Sequence, residues 1–394
     1  MNQLRIFFLS QGLSYASLYL IYPTLVLEAQ TLFGSTALSA FVFISMGGVL
    51  ERCAPLVVHK IAANHGEAKA LTCSYIMRSA GLCLLLFNNL PSLIISIFLF
   101  SFSTAINITY SKTLIGAIAD PKARQKAFGR RAQITNIGVA AGSGMFVILG
   151  AGPYRRFVAL AILIQLAAVV FGLVMYHKHS LKSTLQTKNI TKNSIDRDGA
   201  IPPRMLACLG LSFLFYVLLV QLQTTMPMHI SSKFGRQIVA EIFLINGLLV
   251  SLLQFKVAEN TLNEKHHEWI IVSGFMLLTI GFVLMGLANE IFVLFFGVVL
   301  LTFGEMILEP NIDSSLTSFC LNIDPLRKFA LQGFASGLGM AFGGIFCGSL
   351  YLEHLNSDAG AENYWAIMGG GVVVASLIAL PILKNFIDLK RNNL

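Results

Sequence analysis

Charge is scarce in this chain. Only 12% of its 394 residues are Asp, Glu, Lys or Arg, against about 25% in a typical soluble domain. That shortage excludes an ordinary water-facing globular protein. Cysteine is sparse too, and the six present (Cys53, Cys73, Cys83, Cys208, Cys320, Cys347) lack metal-ligand or redox spacing. They read as small buried hydrophobes, so neither a metal site nor a disulfide framework is expected. A Gly-x-x-x-x-Gly-Lys-Ser/Thr loop to cradle phosphate is missing as well. No enzyme and no cofactor follow from such a sequence.

What is present is apolar sequence, 55% of the chain, gathered into separate blocks. They run 4–29, 37–59, 70–88, 91–118, 132–151, 156–177, 204–228, 238–258, 269–288, 290–318, 331–352 and 363–383. A spanning helix needs about 20 apolar residues to cross about 30 Å of hydrocarbon. Helices also satisfy their own backbone in lipid. The expectation is an all-α membrane protein of twelve transmembrane helices, the first an uncleaved span rather than a signal peptide.

Basic residues give an orientation. With both termini cytoplasmic, 21 of the 28 Lys and Arg residues fall on the inner side. Arg155, Arg156, Lys233 and Arg236 fall outside, and Arg52, Arg78 and Lys112 lie within blocks. This is a strong positive-inside asymmetry, expected for a multi-pass protein of the cytoplasmic (inner) membrane. It also accounts for the +9 net charge through anionic lipid headgroups, without a nucleic-acid partner.

The longest polar stretch, His177 to Arg204, reads as a flexible cytoplasmic linker. It divides the chain into bundles at 1–177 and 204–394, joined by 178–203. The halves echo each other. Asp120-Pro121 opens a basic loop ending at Gly129, and Asp324-Pro325 opens one ending at Gly333. Each is followed by a glycine-rich block, with Gly138, Gly142 and Gly144 in one and Gly337, Gly339, Gly343, Gly344 and Gly348 in the other. Repeated halves suit carriers that rock one bundle against the other.

Twelve blocks, a six-plus-six split, a basic central loop and matching loops after blocks four and ten together resemble the major facilitator superfamily. The layout is most similar to its twelve-span drug–proton antiporters and related small-molecule exporters. The stretch His59 to Ala68 keeps the turn glycine of that family's loop motif as Gly66, with Ala63 and Asn64 at its acidic and basic positions. Block five keeps the first two glycines of the exporter motif, Gly138 and Gly142, and lacks its proline. The resemblance implies that blocks one, four, seven and ten line a central cavity.

Charges inside lipid are costly and mark partners, watery cavities or functional sites. Glu305, Glu309 and Asp313, spaced i, i+4, i+8 beside Pro310, fall near one helical face. They are the candidate proton-coupling residues, Glu305 first. Glu51 and Arg78 lie at similar depth in neighbouring blocks, roughly 12 Å from their ends at 1.5 Å per residue, and are expected to form a structural charge pair near Arg52. Candidate substrate contacts are Tyr15, Tyr19, Asn107, Tyr110, Lys112, Tyr216 and Gln221. Lys112 either snorkels to the inner end or attracts an anionic group. Tyr22 continues the tyrosine spacing, and His229 is placed at the outer interface.

The expected function is secondary active transport of a small molecule by alternating access, driven by protons. Export of an amphipathic compound or metabolite comes first. A carrier for an anionic metabolite such as a carboxylate siderophore or peptide comes second. A membrane receptor or assembly factor that moves no solute is the alternative outside transport. The expected partners are the solute, protons and membrane lipid, and a monomer is expected.

Overall fold

Helices are the regular structure throughout the described residues, which in this computed structural model are 2–22, 25, 28, 45–52, 67–116, 121–149, 153–180, 201–261, 267–319, 325–355 and 363–371. In order they are α1 (Asn2–Tyr19), α2 (45–52), α3 (Glu67–Leu85), α4 (Leu90–Gly116), α5 (Pro121–Leu149) and α6 (Tyr154–Ser180). The expected linker, 178–203, is helical at 178–180 and lies outside the described residues over 181–200; beyond it come α7 (Pro203–Leu219), α8 (Arg236–Thr261), α9 (His267–Leu287), α10 (Ile291–Phe319), α11 (Pro325–Phe342) and α12 (363–371). A 3-10 turn, Val220–Leu222, and a short helix, Thr225–Phe234, prolong α7. A π turn, Gly343–Cys347, and a helix, Gly348–Leu355, prolong α11. The starts are chemically marked: α5, α7 and α11 each open on proline, whose missing N–H costs nothing at the first helical position.

Eight stretches are long and apolar enough to cross a membrane, from Leu90–Ser111 to Leu331–Leu355, and they coincide with blocks four to eleven. The chain is a multi-pass membrane protein. The expected count of twelve is met at these eight. Blocks two and twelve are described only over 45–52 and 363–371. The first and third, α1 and α3, are more polar than a generic span. The former carries Ser10, Gln11, Ser14 and Ser17, and the latter Glu67, Lys69 and Arg78.

Side chains on the outer faces, such as Ile148, Leu252 and Phe292, are exposed and apolar, as lipid requires. Cys73 and Cys83 join them, correcting the expectation that all the cysteines are buried, whereas Cys208 and Cys347 are inside. Cys53 and Cys320 lie outside the described residues.

Two glycine contacts repeat. A Cβ at Gly138 would come within 2.5 Å of the Gly12 carbonyl oxygen, and one at Gly142 would strike that of Ala16, so α5 lies directly on α1. Likewise a Cβ at Gly339 would strike the Phe213 oxygen, and one at Gly343 would approach that of Val217 to 2.5 Å, so α11 lies on α7. The four residues of the second set each follow their counterparts by 201 positions (12 to 213, 16 to 217, 138 to 339, 142 to 343). Small residues let helices approach where lipid offers no hydrophobic push between them.

Two further seams join the halves. In one, α5 meets α8: a Cβ at Gly247 would lie 2.8 Å from the Ala140 nitrogen, and Gln133 donates to the Ser251 carbonyl at 3.1 Å. In the other, α2 meets the α11 segment, with Gly48 against Met340, Ser45 against Gly344, and Gly333 against the Arg52 carbonyl.

The glycine contact predicts a contrast. Gly138→Val should lower the melting temperature of the detergent-purified protein, because overpacking of this kind costs about 1–3 kcal/mol or more. Gly210→Ala, where an added Cβ meets nothing within 4 Å, should leave it equal or slightly raised. Thermal unfolding followed by size-exclusion monodispersity checks both.

Candidate functional site

Buried arginine organises the N-terminal helices. Arg78 of α3 is fully buried. It donates through Nη1 to the Ser14 carbonyl (3.2 Å) and hydroxyl (2.9 Å), and through Nη2 to the Thr104 hydroxyl (2.7 Å). The Tyr15 ring lies 5.5 Å from its guanidinium carbon. The expected Glu51–Arg78 pair is therefore not a direct contact. Among the described residues the cation within 4 Å of Glu51 is Arg52, its neighbour in the chain, with Nε 3.8 Å from the carboxylate. Counting residues along two helices gives their depth but not the direction each side chain faces. Here α1 and α4 supply Arg78 with neutral acceptors, while Glu51 faces the junction of the halves.

At that junction is a cavity of about 40 Å³, lined by Leu18, Tyr22, Gly48, Glu51, Thr104 and Gln223 among others. Its described lining comes from α1, α2 and α4 and the residues after α1, with Gln223, in the turn after the 3-10 segment, reaching it from the later part of the chain. A water molecule occupies about 30 Å³ of liquid, so this space is of the order of one water.

The α10 carboxylates line up as their spacing predicts, and α10 continues through Pro310. Glu305 accepts from the Asn246 amide of α8 at 2.9 Å, and Asn246 also donates to Thr302 at 3.1 Å. Asp313 accepts from Gln332 of α11 at 2.7 Å. Glu309, between them, is exposed. Opposite this row, the Arg52 guanidinium lies 4.3 Å from the centroid of the Tyr216 ring, a cation–π contact between the two halves.

The other candidates divide. Tyr19 meets Tyr22 at 5.2 Å and Phe243 of α8 at 5.9 Å, so it lies where the halves meet. Tyr15 and Tyr216 each carry an arginine. Asn107 is fully buried beside Tyr75. Tyr110 belongs to an apolar cluster with Phe7, Phe8 and Leu71. Lys112 is on α4, its side chain outside the described residues.

Gln221 turns out to be part of the framework. It donates to the Val217 and Gly343 carbonyls and accepts from Thr225 and Tyr364. With its amide fully occupied, it ties the broken part of α7 to the π turn after α11 and to α12. It is corrected from substrate contact to structural knot. His229 is likewise buried rather than interfacial, its Nε2 2.9 Å from the Gly286 carbonyl and its ring against Trp365. Residues not foreseen in these roles are Asn246, Gln332 and Arg52. The available signal was their polarity inside apolar blocks, without any local sign of their partners.

Two sets of helices with repeated internal contacts, meeting around buried charges, have the architecture of a secondary carrier. The chain belongs to the Major Facilitator Superfamily, whose family profile matches residues 7–346, and it is a transporter rather than an enzyme. Among solved structures it is similar to a POT family transporter in complex with a thioalcohol-conjugated peptide, at 16% identity and TM-score 0.78, covering 97% of this chain and 96% of that one. The human organic anion transporter MFSD10 (TETRAN) is similar at 16% identity and TM-score 0.71, covering 96% and 98%. The POT family transporter PepTSo follows at 14% identity and TM-score 0.74, covering 98% of each chain. These likenesses show a shared fold. No curated protein sequence gives a significant match.

The hydrogen bonds assign Arg78 its partner. A double-mutant cycle of Arg78→Met with Thr104→Val should show coupling of about 0.5–3 kcal/mol in unfolding stability. The cycle of Arg78→Met with Glu51→Gln should show clearly less. Stronger coupling to Glu51 would restore the ion pair in place of the hydroxyl contact.

Proposed function

We propose that the protein is a proton-coupled secondary transporter working by alternating access, with export of a small amphipathic molecule or metabolite as its first reading. Glu305 carries the proposal. It is a carboxyl group within a membrane-crossing stretch, met by one neutral amide donor, Asn246. It is close enough to Tyr19 of α1 for the two groups to interact electrostatically across the halves. A carboxyl group in that position can be neutralised by a proton or left charged, and the two forms favour different contacts between the halves. Glu309 and Asp313 extend the row toward the linker end of α10.

A second reading is favoured by Arg52. A guanidinium at the junction suits an anionic solute such as a carboxylate siderophore or peptide, and Lys112 would assist if its side chain turned inward. Both readings share the carboxylate row and differ in what the solute presents to α2.

Orientation belongs to the same proposal. The asymmetry of the basic residues supports both termini and residues 178–203 in the cytoplasm, with the protein in the cytoplasmic membrane. A cysteine replacing Ser183 should resist membrane-impermeant maleimide in intact cells and react after permeabilisation. Labelling from outside would reverse the orientation.

The coupling test is Glu305→Gln, which keeps an acceptor for Asn246 but cannot titrate. In proteoliposomes, substrate identified by a transport screen should be moved uphill by a pH gradient in the wild type. In the variant this uphill movement should fall to the level of protein-free vesicles, while counterflow without a gradient persists. Undiminished pH-driven transport by Glu305→Gln would make Glu305 structural.

A further inference from the structure

Two carboxamides in the first half differ from the rest. Gln11 of α1 and Asn107 of α4 are fully buried. Among the described residues, neither the nitrogen nor the oxygen of either one makes a hydrogen bond. The other fully buried carboxamides are engaged. Gln165 meets Ser17 and the Tyr75 carbonyl, and Asn311 donates to the Ile307 carbonyl. Gln221 is occupied at both ends.

The two free amides occur at one level. Arg78 is held by Ser14 of α1 and Thr104 of α4. Gln11 lies three residues before Ser14, and Asn107 three residues after Thr104. Contacts of Ser10 with Tyr75 and of Ser14 with Arg78 show that α1 runs alongside α3. Those of Ser96 with Gly81 and of Ser103 with Ser74 show that α4 runs against it. Both amides therefore fall on the same side of the guanidinium, about one turn, roughly 5 Å, along each helix. Tyr75 of α3 reaches that level too, and its proton is already placed. Ser10 donates to the Phe7 carbonyl, so the Tyr75 hydroxyl is the donor in their 3.0 Å contact. It has none left for the Asn107 oxygen beside it.

This level continues the walls of the junction cavity. Leu18, two turns beyond Gln11 on α1, lines that cavity, as do Thr104 and Phe100, one and two turns from Asn107 on α4. Arg78 bridges the two walls between the cavity and the amides. A carboxamide has two N–H donors and an acceptor oxygen. Enclosed without partners, it loses its hydration and receives nothing in exchange, so the packed form is less stable than one with apolar residues of the same shape. When the walls part at this level, water reaches both amides and the penalty ends.

We propose that Gln11 and Asn107 bias the protein toward opening: they destabilise the packed form around Arg78 and are hydrated when α1 and α4 part from their neighbours at that level. The bias keeps packed and open forms close enough in free energy to interchange, as alternating access requires. It rests on the transporter reading for its purpose and not for its measurement.

The experiment compares leucine at free and engaged amides in the full-length protein in detergent. Gln11→Leu and Asn107→Leu should each raise the melting temperature by about 2 °C or more. Gln165→Leu, which breaks two hydrogen bonds, should lower it. Deuterium uptake by the backbone of α1 and α4 around residues 11 and 107 reports local opening. It should fall about threefold or more in the double variant Gln11→Leu/Asn107→Leu, where the open form is rarer. Should Gln11→Leu not fold, Gln11→Met, unbranched like glutamine, takes its place. The proposal is overturned if the melting temperature of either free-amide variant stays level or falls, because that amide then has partners in the folded protein. A rise with unchanged uptake overturns it as well, because the amides then burden both forms alike. Neither readout uses a solute or a gradient. Undiminished pH-driven transport in Glu305→Gln would therefore sink the coupling reading alone, and a fall in melting temperature at residues 11 and 107 would sink this inference alone.

Discussion

A guanidinium buried away from water must find acceptors on whatever surrounds it, and Arg78 finds them on two different helices. Its bonds to Ser14 and Thr104 fix α3 against α1 and α4 at one level. Other polar contacts continue the seam. Tyr75 meets the Ser10 hydroxyl, Gln165 of α6 donates to the Tyr75 carbonyl and accepts from Ser17, and Ser103 donates to the Ser74 carbonyl. In lipid, apolar contact between helices gains little over contact with acyl chains, so hydrogen bonds and close approach do the holding. This explains why α1 and α3 are the polar members of the set. Their inward faces supply that seam, at the cost of hydropathy.

The second half achieves the same end differently. Its interior is aromatic, with Trp365 stacked on Phe282 and edge-on to Tyr364 and His229. A single amide, Gln221, is the polar fastener where α7 and α11 both depart from regular helix. A π turn frees backbone groups, and the carbonyl of Gly343 is taken up by Gln221. Irregular backbone at this depth is tolerated because protein surrounds it. The contacts α2–α11 and α5–α8 use close glycine approach as well, Gly247 against the Ala140 backbone and Gly333 against the Arg52 carbonyl, with Gln133 hydrogen-bonded to the Ser251 carbonyl.

Local periodicity made part of this legible. The eight strongly apolar crossings, the glycine-rich fifth and eleventh blocks and the α10 carboxylate row follow from residue type and helical spacing, which survive folding unchanged. Other readings needed information that one helix does not hold. Glu51 and Arg78 match in depth, but azimuth is set by how α2, α3 and α4 turn toward one another. Gln221 and Gln223 are two residues apart in the same block. The first is locked into the framework and the second lines the cavity, a difference created by where α7 loosens into its 3-10 turn. Tyr110 looked like part of a polar face and lies in an apolar cluster, because Phe7, Phe8 and Leu71 come to it from other helices.

The sequence by itself determined the solvent this protein lives in, the helical character of its crossings, the internal repeat and the small set of charges that must be accommodated. Those are consequences of composition and of spacing along one chain, and lipid allows few alternatives to them. Tertiary structure alone decided what each of those charges meets. Asn246 and Gln332 arrive from α8 and α11 to hold Glu305 and Asp313, while Arg52 is met by the face of Tyr216. A side chain's partner is a property of two helices and the angle between them, and no single stretch of sequence encodes it.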